Sequence, residues 1–271
     1  MKIAKILLVP ALIAGSAFAG SAMANTCAAL PKADELKKLF VQVSVGTAEN
    51  PTPNGGRAHH GWLTLVDSKG VVCAVVHSAP AGIDVTTDMS GIGHREQSAK
   101  KANTSVSFSN NEVALASGNL YVPSMPGGQL FGTISSTADS LAINGSDSAK
   151  WGTTKDPMIG KIIGGYAPIA GGLPLYNSAK KKVGAIGVSG DTFCTSHVVA
   201  WKVRELLAGG SYGVANVPGG IANGYTNDAL VQDIDPAQVP GTAAYSKGGF
   251  GFVQCLNNPT NANDGGSIEG N

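Results

Sequence analysis

The segment from Gly171 to Leu207 constrains the fold more than any other part of the chain. It contains two short apolar runs, Leu173–Tyr176 and Val183–Val188, separated by a polar turn with three consecutive lysines. Apolar runs on either side of a polar turn of several residues are typical of a β-hairpin. The sequence therefore predicts two antiparallel strands joined by a solvated basic turn.

The second strand of this hairpin is rich in glycine. Gly184, Gly187 and Gly190 fall within seven residues. Glycine destabilises a strand because it has no side chain to pack, and its use in a strand often marks a place where another group comes close to the backbone. We therefore expect a helix, a second chain or a ligand to approach this strand closely.

A helix is predicted directly after the second strand. Asp191 or Thr192 suits its N-cap, and Gly209 is placed to end it after about Leu207. The turn that leads into this helix consists of Ser189, Gly190, Asp191 and Thr192. Free N–H groups at a helix N-terminus favour an anion such as a carboxylate, so the turn is a candidate anion site. The alternative, which we favour, is that these side chains only cap the helix.

Hydrophobic spacing and turn residues predict further elements upstream. They are a helix over Ala33–Val45, a hairpin of Trp62–Val66 and Val71–His77, a helix over His94–Phe108, and a strand over Ile162–Ile169. With the Gly171 hairpin, this gives about five strands and at least three helices. Because hairpins rather than crossovers connect the strands, the expected fold is an α+β domain with a mainly antiparallel sheet.

Two segments are predicted to be loop-rich. Residues 114–156 are rich in Gly, Ser, Thr and Asn, and such a long excursion is either a surface loop or a functional lid or binding loop. Residues 209–271 form a loop-rich C-terminal extension. The expected organisation is one domain over residues 25–208, with its core at 61–207, followed by this extension.

Residues 1–24 have the pattern of a secretory signal peptide. Lys2 and Lys5 precede an apolar stretch over Ile6–Ala14, and Ala22-Met23-Ala24 resembles a small-residue cleavage site. The apolar stretch is too short to span a bilayer, so we expect no membrane insertion. The predicted location is the periplasm or the extracellular medium.

The four cysteines, Cys27, Cys73, Cys194 and Cys255, all follow the predicted leader. An even number of cysteines in an oxidising compartment favours two disulfides, and four cysteines allow three connectivities. We favour Cys194–Cys255, which would tie the C-terminal extension to the start of the last helix, with Cys27–Cys73 as the second bond.

The charge of the chain excludes one class of partner. Lys and Arg total 19 and Asp and Glu total 18, a net charge of +1. A nucleic-acid-binding surface requires an excess of basic residues to neutralise phosphates. We therefore expect no nucleic-acid partner.

Several of these motifs resemble the GlcG/HbpS-like family of haem-binding proteins. The similarity lies in the Gly-Gly-Leu-Pro-Leu strand, the Val183–Gly190 strand and the Ser98–Ala102 helix segment. The hairpin at Leu63–Val71 also resembles the first strand pair of that family. An exported, longer subgroup of the family resembles this chain in the residues that follow: Ser189 to Thr192, Cys194, His197, Ala200, Trp201 and Arg204.

This resemblance implies a specific fold and ligand class. The fold would be a profilin-like α/β/α sandwich, a five-stranded antiparallel sheet with helices on both faces, that often forms homo-oligomers. The implied role is binding of haem or another small planar or anionic ligand.

Histidines are the candidate iron ligands, because haem iron takes an imidazole as an axial ligand. Of the five histidines, His94 and His197 are the best candidates, since each lies near the start of a helix expected to pack on the sheet. His197, Trp201 and Arg204 are spaced i, i+4 and i+7 and so share a helical face that could stack on and charge-pair with a planar anion. Arg95, beside His94, could likewise charge-pair with the anionic groups of such a ligand. The structural alternative is a packed tryptophan with polar neighbours at His197, and a helix N-terminus with a capping network at His94.

The sequence therefore predicts an exported protein that binds haem or a related tetrapyrrole noncovalently, as a carrier, scavenger or sensor partner. No Cys-x-x-Cys-His stretch is present for covalent haem attachment, and residues 187–191 are not a nucleophile elbow because the fifth residue is Asp191. An enzyme that acts on a small organic acid or degrades haem is the alternative. We assign no catalytic residue.

Overall fold

The computed structural model describes residues 26–88, 91–132, 137–145, 147–240, 242 and 245–255. The predicted signal peptide, residues 1–24, and the last part of the C-terminal extension, from residue 256, lie outside this range. Among the described residues, no helix is both long and apolar enough to cross a bilayer.

The described chain forms five α-helices and four strands. The helices are α1 (Ala33–Ser44), α2 (Gly91–Phe108), α3 (Tyr121–Ser124), α4 (Ser140–Asn144) and α5 (Phe193–Leu206), and the strands are β1 (Trp62–Asp67), β2 (Val72–His77), β3 (Gly172–Tyr176) and β4 (Lys182–Ser189). Short 3₁₀ turns occupy Thr26–Ala29, Ser117–Leu120, Ser148–Lys150, Leu207–Gly210 and Val214–Asn216. Both predicted hairpins and the three predicted long helices are present.

The four strands form a single antiparallel sheet in the order β2-β1-β4-β3. β1 pairs with both β2 and β4, so that Trp62 lies opposite His77 on one side and Ser189 on the other. The two hairpins therefore meet along β1 and β4, which are the inner strands.

The prediction of a fifth strand over Ile162–Ile169 is wrong. This segment forms only isolated bridges, at Ile162 with Val71 and at Gly164 with Ala138. Gly164 and Gly165 both have positive φ angles, 63° and 72°, which are incompatible with an extended strand. The segment runs past the sheet instead of joining it.

Helices cover both faces of the sheet. Alternate residues of β1 point to opposite faces: Leu63 and Leu65 belong to a core cluster shared with α1 and α5, whereas Trp62 and Val66 belong to a cluster shared with α2. The result is a mixed α/β arrangement in three layers, with α2 on one face and α1 and α5 on the other.

The glycines of the Gly171 hairpin allow α2 to lie unusually close to the sheet. A Cβ atom on Gly187 would be 2.0 Å from the Ser98 carbonyl oxygen, and one on Gly172 would be 2.3 Å from the Lys101 carbonyl oxygen. Both distances are far below any real contact of a Cβ atom. The close approach predicted from the glycine pattern is therefore that of the α2 backbone.

The boundaries of α5 follow from local chemistry. Thr192 is the N-cap, and its hydroxyl accepts a hydrogen bond from the Thr195 N–H. After Leu206 the chain leaves the helix through Ala208 and Gly209, both in the left-handed region with φ of 49° and 64°. Of the two predicted caps, Thr192 is the one that the structure uses.

Two disulfides tie peripheral segments to the core. Cys27–Cys73 joins the N-terminal turn to β2, and Cys194–Cys255 joins the start of α5 to the C-terminal extension. This connectivity is the one favoured from the sequence. The extension also contributes Leu230 to the core cluster on the α1 and α5 side, so its described part is integral to the fold.

Candidate functional site

The site predicted from sequence lies where α2 begins, β4 ends and α5 begins. His94, in the first turn of α2, is half-buried, and its Nδ1 lies 3.0 Å from the Ser189 Oγ at the end of β4. Burial lowers the pKa of His94, and the nearby positive charge of Lys101 lowers it further. The imidazole is therefore held in one orientation and is neutral at pH 7.

The surroundings of His94 are open. A Cβ atom on Gly91 or Gly93 would meet nothing within 4 Å, and the Phe193 side chain is 47 % exposed. The Phe193 ring lies 5.6 Å from the Lys101 Nζ. This end of the domain thus combines an oriented imidazole, an exposed aromatic ring and free space.

The predicted anion site at residues 189–192 is filled by a carboxylate of the chain itself. The Asp191 side chain accepts hydrogen bonds from the backbone N–H groups of Arg57, His59 and Thr192. Gly190, with φ of 143°, packs against Gly61, where a Cβ atom would be 2.4 Å from the Gly61 Cα. Gly190 and Asp191 therefore hold the loop of residues 57–61 against the start of α5, whereas Thr192 alone caps the helix.

His197 lies in a different environment from His94. Its side chain is fully buried, and neither ring nitrogen has a hydrogen-bond partner within the described residues. Burial lowers the pKa of His197 to about 3, with further lowering by the charges of Arg204 and Lys101. This histidine is a neutral core residue with no open side.

The predicted common face of His197, Trp201 and Arg204 exists but points inward. The ring centroids of His197 and Trp201 are 6.0 Å apart, and the Arg204 guanidinium lies 4.5 Å from the Trp201 ring centroid. All three side chains are buried, and Trp201 belongs to the core cluster of α1 and α5. The spacing predicted the shared face correctly, but that face contacts the protein interior.

Both candidate arginines already have carboxylate partners. Arg204 forms a fully buried ion pair with Asp228. Arg95 binds Asp156 through Nε and Nη2 and donates to the carbonyl oxygen of Ile143. Because their charges are neutralised inside the protein, neither guanidinium is presented to a propionate. Sequence reasoning missed both aspartates, which lie in loops far from their partners in the chain.

Lys101 is a further residue that sequence reasoning missed. It is completely buried on the sheet side of α2, and its Nζ donates to the Val188 carbonyl oxygen at 2.9 Å. Burial lowers its pKa to about 7. Its position in the sequence could have indicated that it is buried, because Ser98, Ala99 and Ala102 are small residues that mark the face of α2 packed on the sheet.

The described part of the chain contains no group of three or more His, Cys, Asp or Glu side chains suited to hold a metal ion.

Comparison with known proteins gives no family assignment. No protein-family model matches the chain, and no curated protein matches it. A solved structure of a PduOC:heme complex is partly similar to this chain, with 16 % identity, a TM-score of 0.37, and coverage of 62 % of this chain and 85 % of the solved chain. The structure of the Klebsiella pneumoniae protein ORFY, described as DUF336, is also partly similar, with 19 % identity, a TM-score of 0.33, and coverage of 62 % of this chain and 82 % of the solved chain. At such low scores, no property of either protein is transferred to this chain.

Proposed function

We propose that this chain binds haem noncovalently, and that the His94 imidazole would be the ligand that the chain supplies to the iron. The observation that carries the proposal is that His94 is half-buried at an open edge of the fold and is held there by Ser189. The sequence resemblance to haem-binding proteins described above supports the same ligand class.

The contact between His94 and Ser189 suits a metal-binding imidazole. When the Nδ1–H group donates to the Ser189 oxygen, the lone pair of Nε2 is available for iron, and the ring orientation is fixed. The lowered pKa of His94 keeps the imidazole unprotonated, which ligation requires. His197 lacks these properties, because α5 would have to move before iron could reach it.

The groups around His94 also fit the remainder of a haem. The exposed Phe193 ring, at the start of α5, would provide an apolar surface for the macrocycle, and the space around Gly91 and Gly93 is open. Arg57 is exposed, and its backbone N–H donates to Asp191, two residues after Ser189, so its side chain is the cation that we assign to a propionate. Bound iron would supply the redox and ligand chemistry, and these residues would hold and orient it.

A haemin titration with matched histidine variants tests the proposal. We expect a shifted Soret band that saturates at one haem per chain. His94→Ala should abolish the shift or weaken binding at least tenfold, and Ser189→Ala should weaken binding severalfold. His197→Ala removes a buried side chain and should leave the Soret band in place. Saturation that survives His94→Ala, or that is lost only in His197→Ala, would overturn the assignment of the ligand.

The pH dependence of binding gives a second readout. A free histidine side chain has a pKa of about 6.5, whereas burial and neighbouring charges lower the pKa of His94 below that value. Haem binding should therefore persist below pH 6.5 and be lost only on further acidification. Loss of the Soret band centred at or above pH 6.5 would contradict ligation by this histidine.

We place the protein outside the cytoplasm, as a carrier, scavenger or sensor partner. Two disulfides support an oxidising compartment, and the pattern of residues 1–24 supports export. Homo-oligomerisation remains a prediction, which light scattering with and without haem can test. The alternative enzymatic role has no specific support, since Asp191 occupies the turn that an organic acid would need.

A further inference from the structure

A cavity of about 470 Å³ is lined by residues other than those of the proposed haem site. His77 forms part of its lining, together with residues 79–85, residues 148–149 and 151–153, and Lys37 of α1. Its volume falls in the range typical of small-molecule sites. We propose that this cavity is a second binding site, which takes a small aromatic carboxylate.

The wall formed by residues 151–153 is rigidly supported from inside. The Arg95 guanidinium lies 4.8 Å from the Trp151 ring centroid, and Asp156 fixes Arg95 by two hydrogen bonds. Asp156 also accepts the backbone N–H of Gly152 at 2.8 Å. The Trp151 ring is therefore held in place before any ligand arrives, which reduces the entropy lost on binding.

The opposite wall is anchored by histidines. The His77 Nδ1 accepts a hydrogen bond from the Ala79 N–H at 3.2 Å, and Asp88 contacts the His60 Nδ1 at 2.9 Å and the His77 Nε2 at 3.5 Å. These contacts hold both ends of residues 79–88 to the sheet. The cavity thus has two supported walls and is preformed.

The lining residues define the chemistry of the ligand. Ile83, Val85 and Pro80 provide an apolar surface in the same cavity as Trp151, and Ile83 is 47 % exposed although it is a large apolar side chain. A flat apolar body that stacks on the indole ring would cover this surface. The body of the ligand is therefore aromatic.

The polar groups of the lining favour a carboxylate. Lys37 provides a cation, and Ser148 provides a hydroxyl donor. The buried indole N–H of Trp151 also has no acceptor within the described part of the chain, and a carboxylate beside the ring would provide one. Asp84, the acidic residue of the lining, accepts hydrogen bonds from the Thr86 N–H and hydroxyl through one carboxylate oxygen.

Calorimetric titration with 3-phenylpropionate tests this inference on the full chain without haem. We expect saturable binding at one site per chain, with quenching of tryptophan fluorescence. Lys37→Gln should weaken binding about tenfold, and Trp151→Leu at least tenfold. Lys38→Gln is the matched control, because Lys38 is the next exposed lysine of α1 and does not line the cavity.

Three outcomes would overturn the inference. They are the absence of saturable binding, equal affinity for phenethylamine, which lacks the carboxylate, and equal weakening by Lys37→Gln and Lys38→Gln. Should Trp151→Leu fail to fold, Trp151→Phe keeps a smaller aromatic ring and removes the N–H donor, and a severalfold loss of affinity is expected. Haem titration of the Lys37 variant separates this site from the His94 site, because the Soret band should be unchanged.

Discussion

Gly187→Ala should destabilise the protein because it inserts one methyl group between β4 and α2. The new Cβ atom would lie 2.0 Å from the Ser98 carbonyl oxygen and 2.5 Å from the Ala102 backbone nitrogen. Real Cβ atoms approach such groups no closer than about 3 Å, so α2 would have to move outward by roughly 1 Å. Both obstructing atoms belong to the backbone, so no side-chain rotation can relieve the clash.

The loss of stability can be estimated from the contacts between α2 and the sheet that this movement would break. Overpacking of a well-packed interior costs typically about 1–3 kcal/mol, and a gap of about 1 Å forfeits roughly half of the dispersion energy of the separated atoms. The shift would also stretch the buried hydrogen bond between Thr64 and Ser98, now 2.8 Å long, and an unpaired buried hydroxyl costs about 1–3 kcal/mol. We expect a loss of about 3 kcal/mol in the free energy of unfolding.

Urea denaturation of the oxidised protein measures this loss, and Gly93→Ala is the matched control. For a slope of about 2–3 kcal/mol per molar urea, the midpoint should fall by about 1 M in Gly187→Ala. Gly93 lies in the first turn of α2 with open space around it, so its replacement by alanine should raise stability by up to about 1 kcal/mol. If Gly187→Ala kept its midpoint within about 0.2 M of the wild type, the close contact between α2 and the sheet would not have the role that we assign to it.

Two buried charges give further predictions. Burial lowers the pKa of Lys101 from 10.5 to about 7. Between these pH values the unfolded chain therefore binds a proton that the folded chain does not bind. The free energy of unfolding should fall by up to about 1.4 kcal/mol per pH unit as the pH decreases from about 10 to 7. Lys101→Met should remove this slope in urea titrations at pH 7 and pH 9.5, and an unchanged slope would exclude Lys101 as its source. Asp228→Asn should cost about 3–5 kcal/mol by leaving Arg204 charged and unpaired in the interior, whereas Glu112→Gln, at an exposed acid, should change stability by less than about 0.5 kcal/mol. The double variant Arg204→Met, Asp228→Leu should recover at least half of the loss, and failure to do so would show that the pair has a role beyond charge compensation.

Local patterns in the sequence were sufficient to predict most of the fold. The hairpins, the long helices and the close approach at Gly187 all depend on residues that are neighbours in the chain. The error at Ile162–Ile169 has the same origin, because apolar content favoured a strand while the positive φ angles of Gly164 and Gly165 are set by tertiary contacts. In a segment with adjacent glycines, the choice between a strand and a turn depends on packing that the local pattern does not contain.

The candidate site was less predictable, since its chemistry depends on partners that are distant in sequence. The i, i+4, i+7 spacing placed His197 and Arg204 on one face correctly, but it carries no information on whether that face meets solvent. The neighbours of these residues were more informative: α5 has apolar residues on nearly all sides, among them Val198, Val199 and Val203, which is typical of a buried helix. The Arg204–Asp228 pair could not be anticipated in the same way, because no local rule links a helix to an aspartate in an irregular extension.

The position of α2 connects these observations. Its sheet-facing side has small and polar residues beside its apolar ones, and two of these buried polar groups are held to the sheet by specific hydrogen bonds: Ser98 to Thr64 and Lys101 to Val188. Hydrogen bonds of this kind fix the helix in one register along the sheet, whereas a purely apolar face would permit sliding. His94 lies two turns before Lys101 on the same side of α2, so this register sets the distance between His94 and Ser189. The glycines of β4 therefore act on the proposed haem site indirectly: they allow the close packing that holds the imidazole against Ser189.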